Sequence, residues 1–488
     1  MTTANIELEA KRHEVIDEKA SKHKEKGRGH GLSLIFFVLE QSKWTLMVFV
    51  TVISALFTIA IGGGWITFLV SSVVFPVLAL GVPVFRLVTG SWVENGACKI
   101  NAENFYRWKD PKKASKWRGK KVPMERFYEA YMAGEIELKQ DMYEVLLKRN
   151  KLFAMSFTRG DIVYYFKDML GQKTGHTVKR DHSEIAHVYD RGNDFYNWFL
   201  GDTMIYTSGM YRDRDEPVEV GQRRKLETVC KYVQMKPGDR HLDLGCGWGT
   251  LISHSAKECG AKSTGITLSK EQAAWGRETA EKLGVSDRVE IIVDDYRNLP
   301  ARKWDKITCL EMAEHVGIKN FQTFLLQVKS MLEDDGMFYL QIAGLRRSWQ
   351  YEDLVWGLFM SKYIFPGADA SCPLGFVTDQ MERAGFEVHR VENMGVHYSL
   401  TIKKWYDKWM SNKDAVIAKY GERWFRTWEI FLGWSAIIAA QGSSTVFMVT
   451  ATKNLKNDKD SVDSLEAKDI ALSRTDKFVG PDPVASQQ

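Results

Sequence analysis

From Trp44 to Phe85 the chain carries no charged side chain, and Gly62, Gly63 and Gly64 alone break the apolar run. At 1.5 Å per residue, segments 44–61 and 65–85 would rise roughly 27 and 31 Å, close to the ~30 Å hydrocarbon core of a bilayer. The pattern predicts two transmembrane helices within 44–86, joined by a glycine tip. Lys43 and a basic tail precede the run, and Arg86 and Lys99 follow it, so the positive-inside bias puts both ends in the cytosol. The expectation is an integral two-span protein of an internal membrane such as the endoplasmic reticulum, with its main domain cytosolic. One buried hairpin of a soluble core and a re-entrant loop are the alternatives.

Residues 1–43 read as a basic, largely disordered tail, with Lys11, Arg12, Lys19, Lys22, Lys24, Lys26 and Arg28 and few large apolar side chains. Residues 87–180 begin with Arg107, Trp108, Lys112, Lys113, Trp117 and Lys120, basic residues interleaved with indoles that suit an anionic lipid surface. An ordinary solvated charge run is the other reading. Helical spacing from Pro123 to about Ala186, as in Met142, Val145 and Leu146, predicts a connector.

Between 181 and 453 short strand patterns alternate with helical ones. DRHLDLGCGWGTLIS ends a strand in a glycine turn, AKSTGITLS is a second strand, and KEQAAWGRETAEKLG is a helix stopped by Gly284. RVEIIVDDYRNLP, WDKITCLEMAEHVG and DGMFYLQIAG supply three more strands. Alternation of this kind predicts an α/β doubly wound domain on a parallel sheet. After Lys453 the chain turns polar, and 454–488 reads as a disordered tail.

Composition adds exclusions. The chain has 488 residues, 44% of them apolar, enough for a large core. Its net charge of +5, from 67 basic and 62 acidic residues, is too small to argue for nucleic acid. Cys98, Cys230, Cys246, Cys259, Cys309 and Cys372 form no CxxC pair and no zinc spacing, so neither a disulfide framework nor a metal is expected.

The chemistry begins at the glycine turn. Gly245, Gly247 and Gly249 let the backbone pass close to a ligand, and Asp243 stands at the strand end, where it can meet an ammonium group. The GxGxG spacing favours S-adenosylmethionine over a dinucleotide, with another α/β nucleotide site as the alternative. Polar ends of later strands, at Thr267 and Ser269 and at Asp294, Asp295 and Tyr296, would face the same crevice. Thr267 as a helix N-cap and the aspartates as turn caps are the local alternatives.

YDRGNDFYNWFLGDTMIYTSGMY (189–211), LDLGCGWG (242–249), GITLSKEQ (265–272) and EMAEHVG (311–317) occur in that order. With them the chain resembles the cyclopropane-fatty-acyl-phospholipid synthase family over about residues 180–453. The stretch YLQIAGLRRSWQYEDLVWGLFMSKYIFPGADAS (339–371) resembles its fungal-type sphingolipid C-9-methyltransferase branch. The resemblance implies a Rossmann-like class I methyltransferase with helical lid inserts. It implies that Tyr206 and Thr207 meet the methionine part of S-adenosylmethionine, with His241, Leu242, Asp243, Leu244, Gly245, Cys246, Gly247, Trp248 and Gly249 as its loop. Thr267, Leu268, Ser269, Lys270, Glu271 and Gln272 would hold the ribose side, and Tyr296 and Arg297 the adenine. The family also keeps bicarbonate on a Cys, a Glu, a His and a Tyr. Glu314 and Tyr398 match, whereas Ser208 replaces the Cys and Gln341 the His, so bicarbonate is implied only in part. The usual His before Tyr189 and Asp190 is Val188, with His187 one residue earlier.

An alkene offers a weak π nucleophile, so positioning and exclusion of water carry much of the reaction. Its transition state is cationic, and Glu314, oriented by Tyr398, is the candidate carboxylate, with Gln341 and Ser208 setting the base geometry. The inserts 344–375 and 395–443, with Trp349, Phe359, Tyr363, Phe365, Trp405 and Trp409, would form a lid and acyl tunnel, or pack a helical subdomain. The expected acceptor is the Δ8-unsaturated sphingoid base of a membrane lipid, ceramide or glucosylceramide, methylated at C-9. Cyclopropanation of phospholipid acyl chains, or a non-catalytic lipid-binding scaffold, are the competing functions.

Overall fold

The computed structural model describes residues 54–60, 64–65, 67–72, 97–164, 192–300, 302–347, 350–366 and 371–455. The N-terminal tail, residues 456–488, Val188, His187 and Trp349 lie outside them. The chain divides into two units, Met1–Leu87 and Val88–Gln488.

In the first unit the two-span expectation is overturned. No helix among the described residues is long and apolar enough to cross a membrane. Hydropathy counts composition and is blind to helical continuity, which is what a span requires. The integral placement, the cytosolic orientation and the internal-membrane location were drawn from that hairpin and are withdrawn with it.

The second unit is built on a seven-stranded sheet: β1 (Arg240–Leu244), β2 (Lys262–Thr267), β3 (Val289–Val293), β4 (Trp304–Leu310), β5 (Leu332–Leu345), β6 (Phe386–Asn393) and β7 (Ser444–Lys453). Their order is β3-β2-β1-β4-β5-β7-β6. The first five strands pair in parallel. The all-parallel expectation fails at β7, which runs antiparallel to both β5 and β6. Strand β7 is buried along its whole length, and burial on both faces gives a run that looks the same in either direction.

Helices α1 (Met124–Met132), α2 (Met142–Leu147), α3 (Asn193–Leu200) and α4 (Val218–Tyr232) precede the sheet, and α5 (Thr250–Cys259), α6 (Lys270–Lys282), α7 (Phe321–Met331), α8 (Tyr351–Tyr363), α9 (Leu374–Arg383), α10 (Gly395–Ser411) and α11 (Glu422–Ala440) lie in its connections. Gly249 caps α5 in the left-handed region, and Ser269 caps α6 by accepting the Gln272 N–H. Gly260 ends α5 in the same conformation, where an L side chain is strained.

The connector and the inserts share one aromatic core. Phe127, Tyr128 and Phe153 from the connector, Phe195 and Phe199 from α3, and Trp405, Trp409, Trp428 and Trp434 from the inserts are buried in a single cluster. Phe195 meets Trp428 edge to face at 4.7 Å, and Trp409 stacks on Phe425 at 5.8 Å. The basic stretch is in part committed to pairs, Arg107 with Glu137 and Lys113 with Glu135. Beneath the inserts lies a buried ion pair: Arg149 binds Glu352, which also accepts from the Trp434 indole at 3.0 Å, while Arg149 reaches Gln441 at 2.7 Å.

Candidate active site

The C-terminal ends of β1, β2, β3 and β4 open on one cleft of about 1200 Å³, its mouth included. The topology explains the place, because ligands of open α/β sheets bind outside the carboxyl ends of the strands where strand order reverses. The floor is the turn after β1. There Gly245 and Gly247 have φ of +76° and +53°, and a Cβ on Gly245 would stand 2.5 Å from Met312. A Cβ on Gly247 would meet no protein atom within 4 Å, so the backbone leaves room on the cleft. Trp248 is fixed by an indole bond to Asn193 at 2.8 Å and by the Tyr196 ring at 4.9 Å.

Of the expected donor-contacting residues, the cleft gathers Tyr206, Thr207, Asp243, Gly245, Cys246, Gly247, Trp248, Thr267, Leu268, Gln272, Tyr296 and Arg297. It does not include His241, Leu242, Leu244, Gly249, Ser269, Lys270 or Glu271. Alternation along β1 explains the first of these, since Leu242 and Leu244 point into the core. His241 is fully buried, and burial pushes its imidazole down to about 3, so the ring is neutral. Its Nε2 lies 2.8 Å from the Thr308 hydroxyl, which itself donates to Asp243 at 2.6 Å. Thr308 therefore accepts from the Nε2–H tautomer, and His241 orients Asp243 from behind. Burial raises the Asp243 carboxyl to about 6, against the opposing pull of the Thr308 bond and the Lys225 charge.

Beyond the turn, Thr267 donates to Gln272 at 2.7 Å, and Arg297 clamps Asp295 through Nε at 2.8 Å and Nη2 at 2.6 Å. On the opposite wall α4 grips the segment of Tyr206 and Thr207. Lys225 Nζ donates to the Thr207 hydroxyl at 2.7 Å, and Gln222 donates to the Thr207 carbonyl at 2.7 Å. Neither residue was expected. The available signal was their place on the apolar face of α4, with Val218, Leu226 and Val229, where polar side chains need a partner.

None of the four residues expected to be catalytic lines this cleft. Two of them converge on a residue that sequence reasoning passed over. Glu311 lines the cleft, and its Oε1 accepts from the Ser208 backbone N–H at 2.9 Å and from the Gln341 amide at 2.6 Å. The parallel register of β4 and β5 sets Leu310 beside Gln341, which brings the amide to the next residue. Tyr398 is half-buried on α10, packed against both the aromatic core and a second apolar cluster.

Glu314 is buried, with Oε1 accepting from the Ala343 N–H and Oε2 among the buried atoms that lack a partner. Burial, with repulsion from Glu311, raises its carboxyl to about 8, so at neutral pH it is an acid rather than the expected carboxylate. The unfolded chain would ionise near 4.5 and so binds fewer protons than the folded one between 4.5 and about 8. Folding stability from this group is therefore lost as pH rises through that window. Glu314→Gln should consequently melt higher than the parent near pH 8, and the gap should close near pH 4.5; calorimetric melts of both forms across that range test it.

The sheet order and the cleft at its switch point define the α/β fold of the class I S-adenosylmethionine-dependent methyltransferases, with a mixed sheet. A mycolic acid cyclopropane synthase, CmaA1, solved with SAH and CTAB, shares that fold with TM-score 0.53 at 23% identity, over 56% of this chain and 98% of that one. Residues 176–449 match the family described as mycolic acid cyclopropane synthetase, and the chain belongs to that enzyme family. It is 43% identical to sphingolipid C9-methyltransferase 2 of Gibberella zeae over 88% of this chain and 84% of the relative. It is 50% identical to sphingolipid C9-methyltransferase A of Emericella nidulans over 70% and 67%.

Proposed function

We propose that the chain transfers a methyl group from S-adenosylmethionine to C-9 of the Δ8-unsaturated sphingoid base of ceramide or glucosylceramide. The observation that carries this reading is a junction at Tyr206. Its ring lines the donor cleft and packs against Trp405 at 5.3 Å and Phe365 at 6.4 Å, which belong to the inserts. An apolar acceptor brought in along that aromatic region would meet the donor at this ring.

The residues suit the donor. Asp243 offers a buried carboxylate for its amino group, the open backbone at Gly247 admits its methionine part, and the Thr267–Gln272 pair suits ribose hydroxyls. Tyr296, with Arg297 tied back to Asp295, suits the adenine ring. When bound, the donor supplies an electrophilic methyl on a sulfonium. The chain's part is to orient it, keep water away and accept a proton. The names of the relatives in Gibberella zeae and Emericella nidulans support the sphingoid acceptor.

Lipid profiling of a host without methylated sphingoid bases, before and after expression of this chain, tests the reading. A methyl-branched long-chain base is the expected product. The family's description favours a second reading, cyclopropane formation on unsaturated acyl chains. An altered fatty acid with unchanged long-chain bases would decide for it.

A further inference from the structure

We propose that Glu311 is the catalytic base, the carboxylate that takes the proton from the newly methylated carbon. This rests on the reading above, that an alkene carbon is the acceptor.

Glu311 follows β4 directly and lines the cleft with Asp243 and Met312. Both side-chain hydrogen bonds arrive at Oε1, so neither occupies the second oxygen. Its backbone N–H is tied to the Gln341 carbonyl at 2.7 Å, which fixes main chain and side chain to the same neighbour. The residue also stands at φ +53°, a left-handed conformation that is unfavourable for a non-glycine residue. A side chain held there against its own preference, on a ligand cleft, is placed for use rather than for packing.

Charge separates Glu311 from Glu314. Burial raises the Glu311 carboxyl, but the Ser208 N–H, the Gln341 amide and the Lys225 ammonium all favour its ionised form. Glu314 has the Ala343 N–H and feels the repulsion of Glu311, so it keeps its proton. Glu311 thus has more groups favouring its charged form than Glu314 has, and of the two it alone lines the cleft. The cleft wall also carries Asp243, Asp294, Asp295, Lys225 and His315.

The π pair of the acceptor forms the new C–CH3 bond while the C–S bond of the donor breaks and its electrons stay on sulfur. The neighbouring carbon is left cationic. Glu311 takes the proton from the methylated carbon, and the electrons of that C–H bond close the new double bond. A carboxylate is base enough, because a C–H beside a cationic carbon is strongly acidic.

Glu311→Gly suits the test, since glycine accepts a positive φ freely and the truncation leaves space for a small carboxylate. Glu311→Gln keeps the size and removes the basicity. Titration calorimetry should show S-adenosylmethionine binding within about threefold of the parent for both, whereas turnover of a Δ8-unsaturated ceramide falls about 100-fold or more. Formate should restore Glu311→Gly at least about tenfold and leave Glu311→Gln unchanged. Near-parental turnover in Glu311→Gln, a loss in Glu311→Gly that formate does not lift, or loss of donor binding in both would overturn the proposal. Failure of the parent chain to methylate any unsaturated lipid would instead reject the reading beneath it.

Discussion

Gly247→Val should leave the chain folded and reduce S-adenosylmethionine binding by about 100-fold or more, roughly 3 kcal/mol. Two independent costs meet at this position. At φ +53° a β-branched side chain is strained, which disturbs the turn that follows β1. No protein atom lies within 4 Å of the added Cβ, so the branch displaces no neighbour and instead occupies room on a residue that lines the cleft. The fold should survive for the same reason. Calorimetric titration against the parent, with melting curves of both, checks the two halves; near-parental affinity would remove Gly247 from the donor's path.

The second large effect is expected at the ion pair beneath the inserts. Arg149 and Glu352 side chains are each 6% exposed, and Glu352 also accepts from Trp434 and Gln441. Glu352→Ala strands a buried guanidinium and should cost about 3–5 kcal/mol in denaturant unfolding. Replacing both partners together, as Arg149→Leu with Glu352→Met, should recover most of that loss, because two apolar side chains leave no buried charge. If the single substitution were as mild as the double, the pair would not be holding the connector to α8 and α11.

These two positions mark what was legible in advance. The glycine turn, the strand end at Thr267 and the helix stop at Gly284 are local patterns, in which backbone geometry dictates residue type over a few positions. Arg149 with Glu352 and Lys225 with Thr207 are long-range pairings, and nothing in their flanking residues signals the partner. Glu311 was hidden by its own motif: Glu314 drew the chemistry because the resemblance named it, while the backbone outlier three residues earlier has no sequence signature. The apolar run 44–85 misled because hydropathy counts composition alone, and no helix among the described residues is long and apolar enough to cross a membrane. The direction of β7 was invisible in a segment buried on both faces.

That reversed strand also bears on how the molecule is made. Strand β6 pairs with β7 alone, and β7 is the last element of the sheet to leave the ribosome. Until Ser444–Lys453 emerges, the nascent chain holds β5 with one flank unsealed and β6 with no neighbour to bond. Messages truncated before that point would yield a protein with its glycine turn in place and its sheet unfinished, a natural substrate for quality control.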